Sequence, residues 1–228
     1  MRNLLLTLSL LALAGGLHAA AQPAGTVITL VGKVSVYSAG ATSGKALQLG
    51  KQVFMGDRLQ TGANGRVGLV LTDGTQLKLN YNTDITLRDK DTKGRLSARG
   101  IGSIKLALGD LWAKVTKKNS RLEFDTPAAV AAVKGTEPIL SVSPDGDLCV
   151  KLREGSLDLH SDLGAVSLAE LEQICLKKGG PLNDKLKTKW DGQDTFDKGF
   201  GGATKADVTI KYSDEKGEAN ELKLEYTK

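Results

Sequence analysis

Aromatic residues are scarce: two Trp, four Tyr and four Phe make up 4% of the 228 residues. A core must therefore be filled by Val, Leu, Ile and Ala, which an apolar content of 40% can supply. The same scarcity argues against a nucleic-acid groove, which needs clustered Lys and Arg beside stacking rings. Here a formal charge of +5 is spread over interspersed residues of both signs. Histidine is nearly missing as well. Of the two, His18 lies in the N-terminal apolar segment, which leaves His160, out of phase with Leu157 and Leu159 and so on the wet face of a strand. There is no Gly-x-Ser-x-Gly elbow, no Gly-x-x-x-x-Gly-Lys-Ser/Thr loop and no Cys-x-x-Cys pair. Histidine-activated nucleophiles, phosphate-cradling loops and dithiol redox centres are thus excluded, and no catalytic residue or cofactor is expected.

The two cysteines, Cys149 and Cys175, stand 26 positions apart, and an even number in an oxidising compartment argues for a structural disulfide. Zinc would need three or four converging ligands, and these thiols are better used on each other. Calcium fares no better. Asp89-Lys90-Asp91-Thr92-Lys93-Gly94 begins like a calcium loop, but Lys93 and Gly100 stand where oxygen ligands are required. Asp145-Gly146-Asp147 is explained as a turn, so no metal site is expected.

Long apolar runs are confined to the N-terminus. Arg2, the run from Leu4 to Leu13 and Ala19-Ala20-Ala21 before Gln22 form a secretory signal peptide over residues 1–21, too short to anchor and with no lipid-bearing cysteine after it. The mature chain is expected to be periplasmic or secreted, and not membrane-spanning. From Val27 to Leu176 the apolar residues alternate in short pieces broken by glycine turns. Val67, Leu69 and Leu71 face one way before Asp73-Gly74, and Leu77 and Leu79 resume the alternation after it. Leu140 and Val142 precede a Pro-Asp-Gly turn, followed by Leu148, Val150 and Leu152 and then Leu157 and Leu159. The fold class is all-β, a sandwich, barrel or solenoid, between which pattern alone does not choose. A short helix is expected over residues 183–198, where Leu186 and Trp190 stand four apart. Residues 201–228 read as a β-hairpin with Val208, Ile210, Leu222 and Leu224 on one face, expected either to add to an edge of the body, the favoured reading, or to pair with a partner.

Two runs carry a family resemblance. Thr126-Pro127-Ala128-Ala129-Val130-Ala131-Ala132-Val133-Lys134-Gly135-Thr136-Glu137 resembles the "TP…A.VRGTE" signature of the FecR domain family, with Lys134 in place of the usual Arg. Upstream, Gly56-Asp57-Arg58-Leu59-Gln60-Thr61-Gly62 and the run from Gly65 through Asp73-Gly74-Thr75 resemble its "GD.L.TG..GR..L.L.DGT" pattern. The resemblance covers roughly residues 25–181 and implies a short, irregular β-helical roll. It divides the chain into a leader (1–21), a FecR-like β domain (22–181) and a C-terminal extension (182–228). It also implies structural roles for Gly56, Asp57, Thr61, Gly62, Asp73, Gly74, Thr126, Pro127, Lys134, Gly135 and Thr136. The family's best-known members place a sigma-factor-holding segment and one membrane helix before a periplasmic domain that senses a transporter. This chain departs from that plan in having a cleavable leader. The expectation is a non-catalytic exported module that contacts an envelope protein or glycan in signalling. The rival is a carboxylate-dependent enzyme acting on polysaccharide or peptidoglycan, with Asp57, Asp73, Asp84 and Asp110 as its candidate acids.

Overall fold

A computed structural model describes residues 22–89, 101–116, 122–194, 196 and 200, with the backbone of 204–205, 208–213 and 219–224. The expected leader, most of the calcium-like run and the 117–121 turn lie outside the described residues. The first strands are β1 (Pro23–Val31), β2 (Val34–Tyr37), β3 (Lys45–Ala46), β4 (Gln52–Phe54), β5 (Arg58–Thr61), β6 (Arg66–Leu71), β7 (Gln76–Leu79), β8 (Asp84–Asp89) and β9 (Ile101–Lys114). There follow β10 (Leu122–Asp125), β11 (Val130–Val133), β12 (Pro138–Val142), β13 (Leu148–Leu152), β14 (Leu157–Ser161), β15 (Gly164–Leu168), β16 (Glu172–Leu176), β17 (Lys187–Lys189), β18 (Thr204–Lys205), β19 (Val208–Ser213) and β20 (Ala219–Leu224).

The architecture turns on β9. Its first half pairs with β8 and, in parallel, with β10, while its second half pairs with β7 and β12. Between the halves Gly109 takes φ +91°, and a Cβ there would lie 2.5 Å from the Cα of Thr83, so only glycine fits the bend. One continuous 18-stranded sheet is thereby folded into two layers. The first layer runs β1, β6, β7, β9, β12, β13, β16, β17, with β4 and β18 side by side on the outer edge of β1. The second layer runs β3, β2, β5, β8, β9, β10, β11, β14, β15.

Alternation places the core between the layers. Val67, Leu69 and Leu71 of β6, Leu77 and Leu79 of β7, and Leu140 and Val142 of β12 are buried against Leu59, Ile85, Leu106 and Leu159. Phe124 is the one ring in this cluster, so aliphatic side chains carry the burial. Each contributes about 1.5–3 kcal/mol relative to an exposed position. The chain is all-β, as its sequence pattern requires.

Two expectations are corrected. In place of a helix over 183–198, a single 3-10 turn (Asp184–Leu186) is capped by Asn183, whose Oδ1 accepts from Lys185 N at 3.0 Å; β17 follows at once. An isolated helical turn bears the cost of nucleation with no propagation to offset it, whereas pairing with β16 satisfies the backbone directly. The hairpin β19–β20 exists, with Val208 opposite Leu224 and Ile210 opposite Leu222, but it forms its own two-stranded sheet. The tail residues that close an edge of the body are those of β18, opposite Thr29 and Leu30 of β1. Among the described residues no helix is long and apolar enough to cross a membrane.

Candidate functional site

The motif residues lie at or beside strand ends, and several of them set turns. Gly56 takes φ +87° and donates its N–H to Leu87 O, while the buried carboxylate of Asp57 accepts from Phe54 N at 2.9 Å. Burial pushes the Asp57 carboxyl above the usual range, against the opposing pull of that bond. Thr61 Oγ1 donates to Asn80 O at 2.6 Å and accepts from Thr83 N at 2.8 Å, and Gly62 N donates to Lys33 O. Asp73 Oδ1 accepts from Thr75 N across the Gly74 turn. Thr126 Oγ1 closes its turn on Ala129, and the neighbouring Pro127 packs against Gly146 of the Pro-Asp-Gly turn. Lys134 is exposed, Gly135 has φ +63°, and buried Thr136 accepts from Val115 N through its carbonyl. These eleven residues shape the layers and do not meet at one site.

The residue that gathers partners is the last of the second motif, Glu137. Its Oε1 accepts from Trp112 Nε1 at 3.1 Å and Arg153 Nη1 at 2.6 Å, and Lys114 Nζ lies 3.6 Å from Oε2. Arg153 pairs in addition with Asp194, whose other oxygen accepts from Phe196 N at 2.8 Å. The segment after β17 is thereby tied across the outer face of the first layer. Trp190, Phe196 and Phe200 meet Trp112 and Ile139 there in a second apolar cluster. Lys78 Nζ stands 4.4 Å from the centre of the Trp112 ring, and Lys151 Nζ 5.7 Å from that of Trp190. Sequence reasoning missed this strap: its aromatics fall at no regular spacing, and Glu137 and Arg153 are far apart in the chain.

Beside the strap lies a groove of about 320 Å³ lined by Asn80, Asp110, Ser141, Cys149, Lys151 and Phe196, with others. Its floor is one row of outward residues across neighbouring strands. Arg66 Nε donates to Asn80 Oδ1 at 2.8 Å, Asn80 N to Asp110 O at 3.0 Å, and Ser141 stands opposite both Asp110 and Cys149. The row ends at the disulfide Cys149–Cys175, a directly opposed pair on β13 and β16.

The candidate carboxylates are dispersed. Asp57 and Asp73 serve their turns, Asp84 is bound by Arg58 and Gln60, and Asp110 lies in the groove. Burial raises the Asp84 carboxyl, but hydrogen bonds from Arg58 and Gln60 and the nearby positive charge outweigh it, so it falls below the usual range. His160 is exposed on β14. Among the described residues no three His, Cys, Asp or Glu stand together as a metal site would need.

No curated protein matches the chain. Two crystal structures of a "putative anti-sigma factor" from Parabacteroides distasonis are similar at 19% identity and a TM-score of 0.49, over 60% of this chain and 61% of theirs. The chain thus spans less than two thirds of their length. Residues 57–158 match the family described as FecR protein, a narrower span than 25–181 that contains the second motif and nearly all of the first. Residues 57–158, with the turns described above, are thus the part of the chain that matches a FecR domain.

Proposed function

We propose that this is a non-catalytic, exported FecR-domain protein that works in envelope signalling by contact with another protein, with the hairpin β19–β20 as its docking element. The observation that carries the reading is the separateness of that hairpin. It has a full antiparallel register, and among the described residues it pairs with no strand of the layers, while β18 just before it is fastened to β1. A two-stranded hairpin alone is marginal in water, so one kept at the end of a fastened chain calls for a partner to order it. The use of the motif residues as turn formers supports a scaffold in preference to an enzyme.

Two truncations test this. A chain ending at Lys205 keeps β18 and should be a folded monomer that no longer retains the protein crosslinked to the full chain in cells. A chain ending at Gly201 also uncovers the edge of β1 and should self-associate on size-exclusion chromatography. Undiminished retention of the partner by the chain ending at Lys205 would refute the docking role.

A further inference from the structure

Two surface cavities of similar size differ in what their polar groups are doing. The one on the second layer, about 350 Å³, is lined by Gln60, Thr61, Thr83 and Asp84 among others. These groups are committed: Asp84 is held by Arg58 and Gln60, and both threonine hydroxyls bond to backbone. The Lys33, Ser35 and Asn82 side chains there are uncommitted but include no acceptor-only group, whereas the uncommitted groups of the first-layer groove include a carboxylate. Among the described residues no protein group hydrogen-bonds to the Asp110 carboxylate, the Ser141 hydroxyl or the Asn80 amide N–H groups, and the Lys151 ammonium, which stands over the Trp190 ring, donates no hydrogen bond.

We propose that this groove binds a neutral glycan chain lying across the strands. Charge decides the class of ligand. The lining holds one unpaired carboxylate, Asp110, and one ammonium, Lys151, while Asp194 is neutralised by Arg153, so its formal charges balance and select neither an anion nor a cation. The free groups are an acceptor-only carboxylate, a donor-only ammonium, amide donors and a hydroxyl. A sugar diol, with a donor and an acceptor on every hydroxyl, satisfies such a set. Geometry decides the direction. Asn80, directly after β7, Asp110 of β9 and Ser141 of β12 stand side by side, one polar group about every 4.8 Å. That interval is close to the repeat of an extended β-linked pyranose chain, so consecutive rings meet consecutive side chains. Phe196, buried on the strap against Phe200, borders the groove with apolar surface. The volume is that of a small-molecule cleft, enough to hold part of a longer chain.

The test is a titration of the full chain with three neutral tetramers, β-linked N-acetylglucosamine, β-linked glucose and α-linked glucose, followed by NMR shift changes. At least one β-linked tetramer should bind saturably, with shifts centred on Asp110 and Ser141, and the curved α-linked chain should bind at least about tenfold more weakly. Asp110→Ala and Ser141→Tyr, both outward positions, should each weaken binding about tenfold or more, by loss of a hydrogen bond to a charged group and by blockage respectively. Their melting temperatures should stay unchanged, and Lys33→Ala in the other cavity should have no effect. The chain ending at Lys205 should bind as the full chain does, which separates this site from the hairpin. Absence of saturable binding by both β-linked tetramers, or binding indifferent to Asp110→Ala and Ser141→Tyr, would overturn the proposal.

Discussion

Replacing Arg153 by Gln removes the cation that ties the strap to the first layer. Glu137 and Asp194 have side chains only 8% and 9% exposed, so the substitution leaves two carboxylates with little access to water. Breaking a fully buried pair in this way costs about 3–5 kcal/mol. Arg153 is itself 31% exposed, and Lys114, 3.6 Å from Glu137, still supplies a positive charge. The lower figure of about 2–3 kcal/mol is therefore expected, which lowers the melting temperature of a chain of this size by about 5–10 °C. The loss should also be local. The two tryptophans, Trp112 and Trp190, both lie in the cluster beneath the strap, so their fluorescence reports that region alone. In urea the emission of Arg153→Gln should shift to the red before the β-sheet circular dichroism is lost, whereas in the parent protein the two signals should move more nearly together. Identical emission maxima and superimposable unfolding curves for variant and parent would show that the ion cluster does not hold the strap.

Two further outcomes follow from the outer face and from the second layer. Under oxidising conditions a thiol reagent should label neither Cys149 nor Cys175, and reduction should cost on the order of 3 kcal/mol, read as a fall in melting temperature with dithiothreitol, since the bond closes a loop of 26 residues. Asp84 has its carboxyl held below the usual range, so its contribution is complete above about pH 4 and is lost as pH falls through its folded value. Asp84→Asn should therefore be less stable than the parent at pH 7 and approach it in acid; a deficit independent of pH in urea titrations would remove Asp84 from that account.

Where backbone and period-2 alternation suffice, the sequence was legible. The positions of β6, β7, β12 and β13 followed from alternation, and the expected disulfide joins Cys149 and Cys175, opposed on β13 and β16. The bent strand β9 was not visible as one element. Ile104 and Leu106 alternate in phase with one layer and Leu111 and Ala113 with the other, so the run looks broken at Gly109 although the backbone is continuous. Residues 183–198 misled for the opposite reason. Leu186 and Trp190 have helical spacing, but Trp190 N donates to Leu171 O and the segment is held as a strand by a neighbour distant in sequence. The groove was hidden because its floor takes single residues from strands whose order along the layer differs from their order in the chain. Pattern reading finds strands; it does not say which will be neighbours.

The sharing of β9 between layers governs how the chain can assemble. Residues 23–89 hold eight strands, but β7 and β8 each have β9 as a partner, and those edges stay open until residue 114 is available. The strands that follow are in the same position, for β10 and β12 build outward from opposite halves of β9. Neither half of the protein can therefore close its sheets ahead of the other. Folding must wait for contacts between residues far apart in the chain, which places it with the slow, non-local folders whose rates lie in the millisecond-to-second range. During that wait the unpaired edges of β7 and β8 are the surfaces most open to misassembly, so the middle of the chain, and not either end, is where a chaperone would do the most good.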